Sequence, residues 1–153
     1  MTRPVPVAGL RRVALVVPYY VAGRSGDPAT ALRRFPTVAE LAPGLARRGF
    51  DVVGFHLAAG RATARWRGVE HRFVGAGPLR RAAARWVHRR APRHGPAYWE
   101  PAWELAASVA RWRPDVVHVF GLGIDLNTAL LVAAALRADA RVVLHFHGAQ
   151  PAA

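Results

Sequence analysis

Two short strand-like segments joined by a long apolar helix constrain this chain more than anything else in it. Residues 111–121 read Arg-Trp-Arg-Pro-Asp-Val-Val-His-Val-Phe-Gly. A helix-length apolar stretch, Leu126 to Leu136, follows, and residues 141–148 read Arg-Val-Val-Leu-His-Phe-His-Gly. This is strand, turn, helix, strand, with a glycine after each strand. Open α/β sheets hold their ligands outside the carboxyl ends of such strands, so Gly121, His147 and Gly148 stand at ligand-facing positions.

The remaining segments extend the pattern. Val13 to Val17 is a continuous, mostly β-branched run, as suits a strand buried on both faces. Gly23 to Pro28 reads as a loop. Thr37 and Glu40 have capping-box spacing. Val38, Leu41, Ala42, Leu45 and Ala46 then share one helical face, Pro43 predicts a kink, and Gly49 can end the helix. Asp51 to Leu57 and His71 to Val74 read as strands. Pro78 to Arg90 reads as a helix, with Leu79, Ala82, Ala83, Trp86 and Val87 on its apolar side. Ala102, Leu105, Ala106, Val109 and Ala110 mark another helix, stopped by Pro114. Leu126 to Leu136 is apolar on nearly every side and is expected to be buried. Arg61 to Gly68 and Ala91 to Pro101 are expected to be mobile loops. The expected fold class is therefore α/β, a parallel sheet with helices on both faces. Residues 1–10 are assigned to a tail and 11–153 to one domain; there is no internal repeat.

Composition removes several function classes. The chain has 153 residues and no cysteine, which excludes disulfides, thiolate metal sites and thiol catalysis. No apolar run reaches the roughly 18 residues of a membrane span. The first ten residues lack a long apolar h-region, so no signal peptide is expected and the cytoplasm is the default compartment. All 22 basic residues are arginine, and the formal charge is +13. Ten of those arginines lie between Arg61 and His94 against one acid, Glu70. Such a block favours lipid headgroups, phosphates or nucleic acid. No nucleic-acid motif accompanies it, which ranks nucleic acid below the other anions.

The order of motifs resembles the N-terminal, acceptor-side domain of family 4 glycosyltransferases, the retaining GT-B enzymes. The resemblance rests on Arg12-Val-Ala-Leu-Val-Val-Pro18, the loop Gly23 to Asp27, Leu45-Ala-Arg-Arg-Gly-Phe-Asp-Val52, Arg113-Pro-Asp-Val-Val-His-Val-Phe-Gly121, and Val142-Val-Leu-His-Phe-His-Gly148. It implies a Rossmann-like domain, one half of a GT-B architecture. In such an enzyme a second, C-terminal domain binds the nucleotide-sugar donor, and no paired-glutamate motif for it occurs here. The half alone is expected to be inactive. The family pattern has a tighter diglycine after the first strand than Gly23 and Gly26 provide, and no Pro43-Gly44 in the first helix.

By that resemblance His147 faces the interdomain cleft and contacts the acceptor or the transferred sugar. A neutral imidazole there can donate or accept a hydrogen bond. Gly23, Gly26, Gly121 and Gly148 would allow close approach of substrate to backbone. His118 is a further substrate-side candidate, although its mid-strand position also suits core packing with one satisfied hydrogen bond. His145 and His147 share a face, but no third ligand is spaced to make a metal site with them, and the family requires neither metal nor cofactor. Leu126 replaces the third glycine of a dinucleotide fingerprint, and His145 and His147 stand where a ribose-binding acid belongs, which argues against NAD.

Arg80, Arg81, Arg85, Trp86, Arg89 and Arg90 give the helix 78–90 the composition of an interfacial anchor. Many relatives glycosylate lipid-linked acceptors, so peripheral contact with the inner membrane face is expected. The partners implied are a nucleotide-sugar donor and an acceptor sugar or lipid-linked acceptor. The competing class is a basic, non-catalytic module for nucleic acid or anionic lipid.

Overall fold

In a computed structural model of the protein, the described residues are 9, 11–18, 27–58, 60–75, 82, 86, 89, 102–121 and 125–146. They build a six-stranded sheet from β1 (Arg12–Val17), β2 (Asp51–Ala58), β3 (Ala62–Trp66), β4 (Val69–Gly75), β5 (Val116–Gly121) and β6 (Arg141–Phe146). The helices are α1 (Pro28–Arg34), α2 (Pro36–Ala46), α3 (Trp103–Trp112) and α4 (Leu126–Arg137). The spatial order is β3-β4-β2-β1-β5-β6, parallel throughout except for the antiparallel pair β3–β4. Without β3, the five parallel strands run 3-2-1-4-5 in chain order. The direction of winding reverses between β1 and β5, so the ligand crevice expected of such a sheet opens at their carboxyl ends.

Burial on both faces explains the unbroken apolar runs. Val13, Leu15 and Val17 of β1 pack with Val38 and Ala42 of α2. Ala14 and Val16, pointing the other way, pack with Leu105 and Val109 of α3 and Leu131 and Ala135 of α4. Alternation along the strand thus supplies two cores at once.

The rim at the amino ends of the strands is tied by a carboxylate. Asp115, just before β5, accepts the backbone N–H groups of Arg11 and Arg12 on one oxygen at 2.8 and 2.7 Å. Those two bonds hold its carboxyl below the usual carboxylate range. The chain continues the tie: Asp115 N–H donates to the Arg12 carbonyl, and Arg141 N–H to the Asp115 carbonyl.

Several sequence expectations need correction. Residues 61–68 are not a loop; they carry β3 and the turn of a hairpin. Arg67 and Gly68 have φ of 47° and 84°, the left-handed pair of a two-residue primed turn whose twist matches the strands. The Arg67 guanidinium donates to Glu40 of α2. Thr37 is not the N-cap of α2. That helix begins at Pro36, a residue preset for the first helical position, behind Phe35, which makes no side-chain cap. The cap role falls to Asp27, which accepts the Thr30 N–H at 2.9 Å and starts α1, a helix that the sequence pattern missed. Pro43 sits inside α2 as expected. Gly49, at φ 89°, ends the turn after it, with Phe50 N–H reaching back to the Leu45 carbonyl.

The expectation that α4 is buried on nearly every side also fails. Its two ends, Leu126 and Leu136, are 52% and 67% exposed, whereas Asn127 and Thr128 are buried. The helix lies on the sheet through Leu131 and Ala135 and leaves its outer side open. No helix among the described residues is long and apolar enough to cross a membrane.

Candidate functional site

One buried amide ties together the elements around the carboxyl ends of β1 and β5, where the strand order places the ligand crevice. Asn127, in the first turn of α4 and 3% exposed, accepts the Ala102 N–H at 2.8 Å and donates to the Pro18 carbonyl at 3.1 Å. Its side chain therefore joins the end of β1, the start of α3 and the start of α4. Asp125 caps α4 by accepting the Thr128 N–H at 2.8 Å. Sequence reasoning missed Asn127. The available signal was a polar amide in the first turn of an otherwise apolar helix, where burial demands hydrogen-bond partners. Asn127→Ala is expected to cost about 2 kcal/mol, because it strands a buried N–H and a buried carbonyl. Urea denaturation checks this, and a loss below about 0.5 kcal/mol would sink the assignment.

Gly121 closes β5 at this rim and is buried, pairing with Phe146 of β6. His118 lies three residues before it, opposite Leu15 and Val143. Its ring stacks on Phe120 at 4.3 Å and lies 5.8 Å from that of His145. The three rings form one patch on the face opposite α3 and α4. The single satisfying hydrogen bond expected for His118 is not found at Nε2, which is buried without a partner. Desolvation, reinforced by the neighbouring His145, lowers the His118 pKa and favours the neutral ring.

His147, Gly148, Gly23 and Gly26 lie outside the described residues, as do Arg80, Arg81, Arg85 and Arg90 and the segment 91–101. In the expected helix 78–90, Ala82, Trp86 and Arg89 are described. All three are helical and exposed, Trp86 at 52%. Among the described residues no group of three or more metal-ligating side chains occurs.

A second histidine pair escaped sequence reasoning altogether. His56 of β2 and His71 of β4 face one another on the side of the sheet that carries α1 and α2. Their Nε2 and Nδ1 atoms are 3.0 Å apart, and His56 stacks on Phe73 at 4.7 Å. Both rings are buried, and His56 Nδ1 and His71 Nε2 have no partner. Burial, with the repulsion of His71, lowers the His56 pKa to about 3. Burial lowers that of His71 to about 4. The pair is packed between the sheet and the α1–α2 layer, against Phe73.

The fold is that of a Rossmann-like half, and the sequence profile of Glycosyltransferase Family 4 matches residues 36–152. The chain belongs to glycosyltransferase family 4. The match covers α2 through β6 and takes in Asn127, His118 and Gly121, while Pro18, one partner of Asn127, lies before it. No curated protein matches the chain. Among solved structures, the C-terminal domain of a hydrogenase from Pyrococcus furiosus is similar, with 12% identity and a TM-score of 0.51 over 94% of this chain and 96% of that one. That likeness concerns the fold alone. As a member of that family, the domain has the general chemistry of a glycosyltransferase.

Proposed function

We propose that this family 4 domain is the acceptor-side half of a retaining glycosyltransferase. In the full reaction, the bond from the anomeric carbon to the nucleotide diphosphate breaks. A bond to an acceptor hydroxyl forms, the hydroxyl proton leaves, and the nucleotide diphosphate departs. A second domain would hold the donor, and closure of the two halves would exclude water from the crevice. The observation that carries this reading is the coincidence of the family match with a strand-order reversal at the crevice.

Within that reading His147, directly after β6, hydrogen-bonds the acceptor or the transferred sugar. Gly23, Gly26, Gly121 and Gly148 allow substrate to approach the backbone, and His118 supports the crevice wall. The acceptor is a sugar or a lipid-linked sugar. Peripheral contact with an anionic membrane through Arg80, Arg81, Arg85, Trp86, Arg89 and Arg90 would bring the protein to such an acceptor at the cytoplasmic face. The exposure of Trp86 and Arg89 supports that contact. No cofactor or metal is required.

The test starts from the native gene product in its source cells, whose mass is expected to be about double that of the 153-residue chain or more. That product, incubated with a panel of nucleotide-sugars and a lipid extract, should transfer sugar, while the 153-residue chain alone should not. His147→Ala should lower kcat at least about a hundredfold, the scale of a lost transition-state contact. A native product of 153 residues with no separate donor domain would end the reading. Unchanged turnover in the histidine variant would remove His147 from the site.

A further inference from the structure

Away from the crevice, α3 and the β3–β4 hairpin enclose a groove of about 380 Å³ lined by Arg61, Thr63, Arg72, Glu104, Ser108 and Arg111. The secondary structure explains the convergence. Thr63 and Arg72 are direct partners across the antiparallel pair and therefore share a sheet face. Glu104, Ser108 and Arg111 are spaced i, i+4, i+7 along α3 and so share a helix face. Three guanidinium groups and two hydroxyls meet there with a single lining carboxylate.

The arginines are not equivalent. Arg72 is held in place: it pairs with Glu70 beside it, and its guanidinium lies 5.6 Å from the centre of the Phe55 ring. Arg61 and Arg111 are exposed and have no acidic partner among the described residues. Like charges gathered in a concave site repel one another unless an anion joins them, and a low-dielectric wall strengthens the field they present. Guanidinium forks suit the oxygens of a phosphate, and hydroxyl donors can complete its coordination.

We propose that this groove binds a phosphate-bearing ligand, with Arg61, Arg72 and Arg111 on the phosphate oxygens and Thr63 and Ser108 as neutral donors. The site is separate from the crevice: it borders β3 and β4, and β2 lies between β4 and β1. The proposal does not depend on the glycosyltransferase reading. It takes in two arginines of the positive block that the sequence showed, Arg61 and Arg72, and adds Arg111 from α3. A soluble phosphate ester and a lipid headgroup present the same group to these residues.

Calorimetric titration of the 153-residue chain with inorganic pyrophosphate at low salt supplies the first arm, and flotation with phosphatidylglycerol or phosphatidylcholine vesicles the second. The variant R61A/R111A removes two groove charges, and R47A/R48A removes two charges from the turn after α2. The groove variant should bind pyrophosphate about tenfold more weakly or worse, the loss expected for charge-assisted hydrogen bonds. The control should change less than about twofold, as screened remote charges do. Vesicle binding that needs phosphatidylglycerol and is lost in the groove variant alone, without pyrophosphate binding, would assign the phosphate to a lipid. Equal losses in the two variants, or no binding of either probe by the unmodified chain, would overturn the proposal.

Discussion

Gly54→Ala is expected to destabilise the domain by about 3 kcal/mol, the upper part of the range for forcing atoms into a packed interior. A Cβ on Gly54 would stand 2.2 Å from His71 Nδ1 and 2.8 Å from its Cε1. The imidazole cannot retreat easily, because it is fully buried and that same Nδ1 faces His56 Nε2 at 3.0 Å. The register sets the collision: Gly54 and His71 are direct partners in the parallel pair β2–β4. Urea denaturation gives the magnitude, and the double variant G54A/H71A tests the cause. Relief of the clash should make the double variant less unstable than the sum of the two singles, the coupling expected of residues in contact. A single variant within about 0.5 kcal/mol of the parent would mean that the sheet yields at this point.

Acid should weaken the same region strongly. An unfolded histidine titrates near pH 6.5, whereas the folded pair titrates at about 3 and about 4. Above pH 6.5 both states are neutral and the pair adds no pH dependence. Below it the unfolded chain takes up protons that the folded chain refuses, so stability falls with pH until the folded values are reached. At pH 5 the loss is about 2 kcal/mol for each ring, or about 4 kcal/mol for the pair. Denaturation midpoints between pH 7 and pH 4.5 measure the slope. The double variant H56L/H71L should flatten it, whatever its own stability at pH 7. An unchanged slope in that variant would show that other groups carry the acid response.

The parts of the fold that the sequence made legible are those where one residue type repeats at a fixed interval. The β-branched run of β1 and the apolar runs of β2 and β5 announced strands, and the spacing of Leu105, Ala106 and Val109 announced α3. The seven residues of α1 were too few to show a period and had to be recognised by the Asp27 cap. β3 was hidden because two of its three alternating apolar residues, Ala62 and Ala64, are small alanines, and its turn uses arginine where asparagine is favoured. The His56–His71 pair could not be seen because fifteen residues separate its members, and only the β2–β4 register brings them together. For the site, Gly121 does end β5, where the strand pattern put it. Asn127 was overlooked because its importance lies in two main-chain partners, at Pro18 and Ala102, that are remote in sequence. His147 was named from its place after β6 and from the family resemblance, and it remains the subject of the variant proposed above.

The carboxylate of Asp115 has a reach that its position conceals. It fixes how β1 lies along β5 from the end of the sheet farthest from the crevice. A strand of six residues is about 20 Å long, and it transmits any offset in full to its other end. A slip of one residue would also turn every side chain of β1 to the opposite face, exchanging the helix layers that Val16 and Val17 meet and shifting the Pro18 carbonyl away from Asn127. The carboxyl end of β1 is therefore tied to an acidic side chain at the opposite end of the sheet, so loss of that carboxylate would be felt at the Pro18–Asn127 bond as well as at its own two hydrogen bonds.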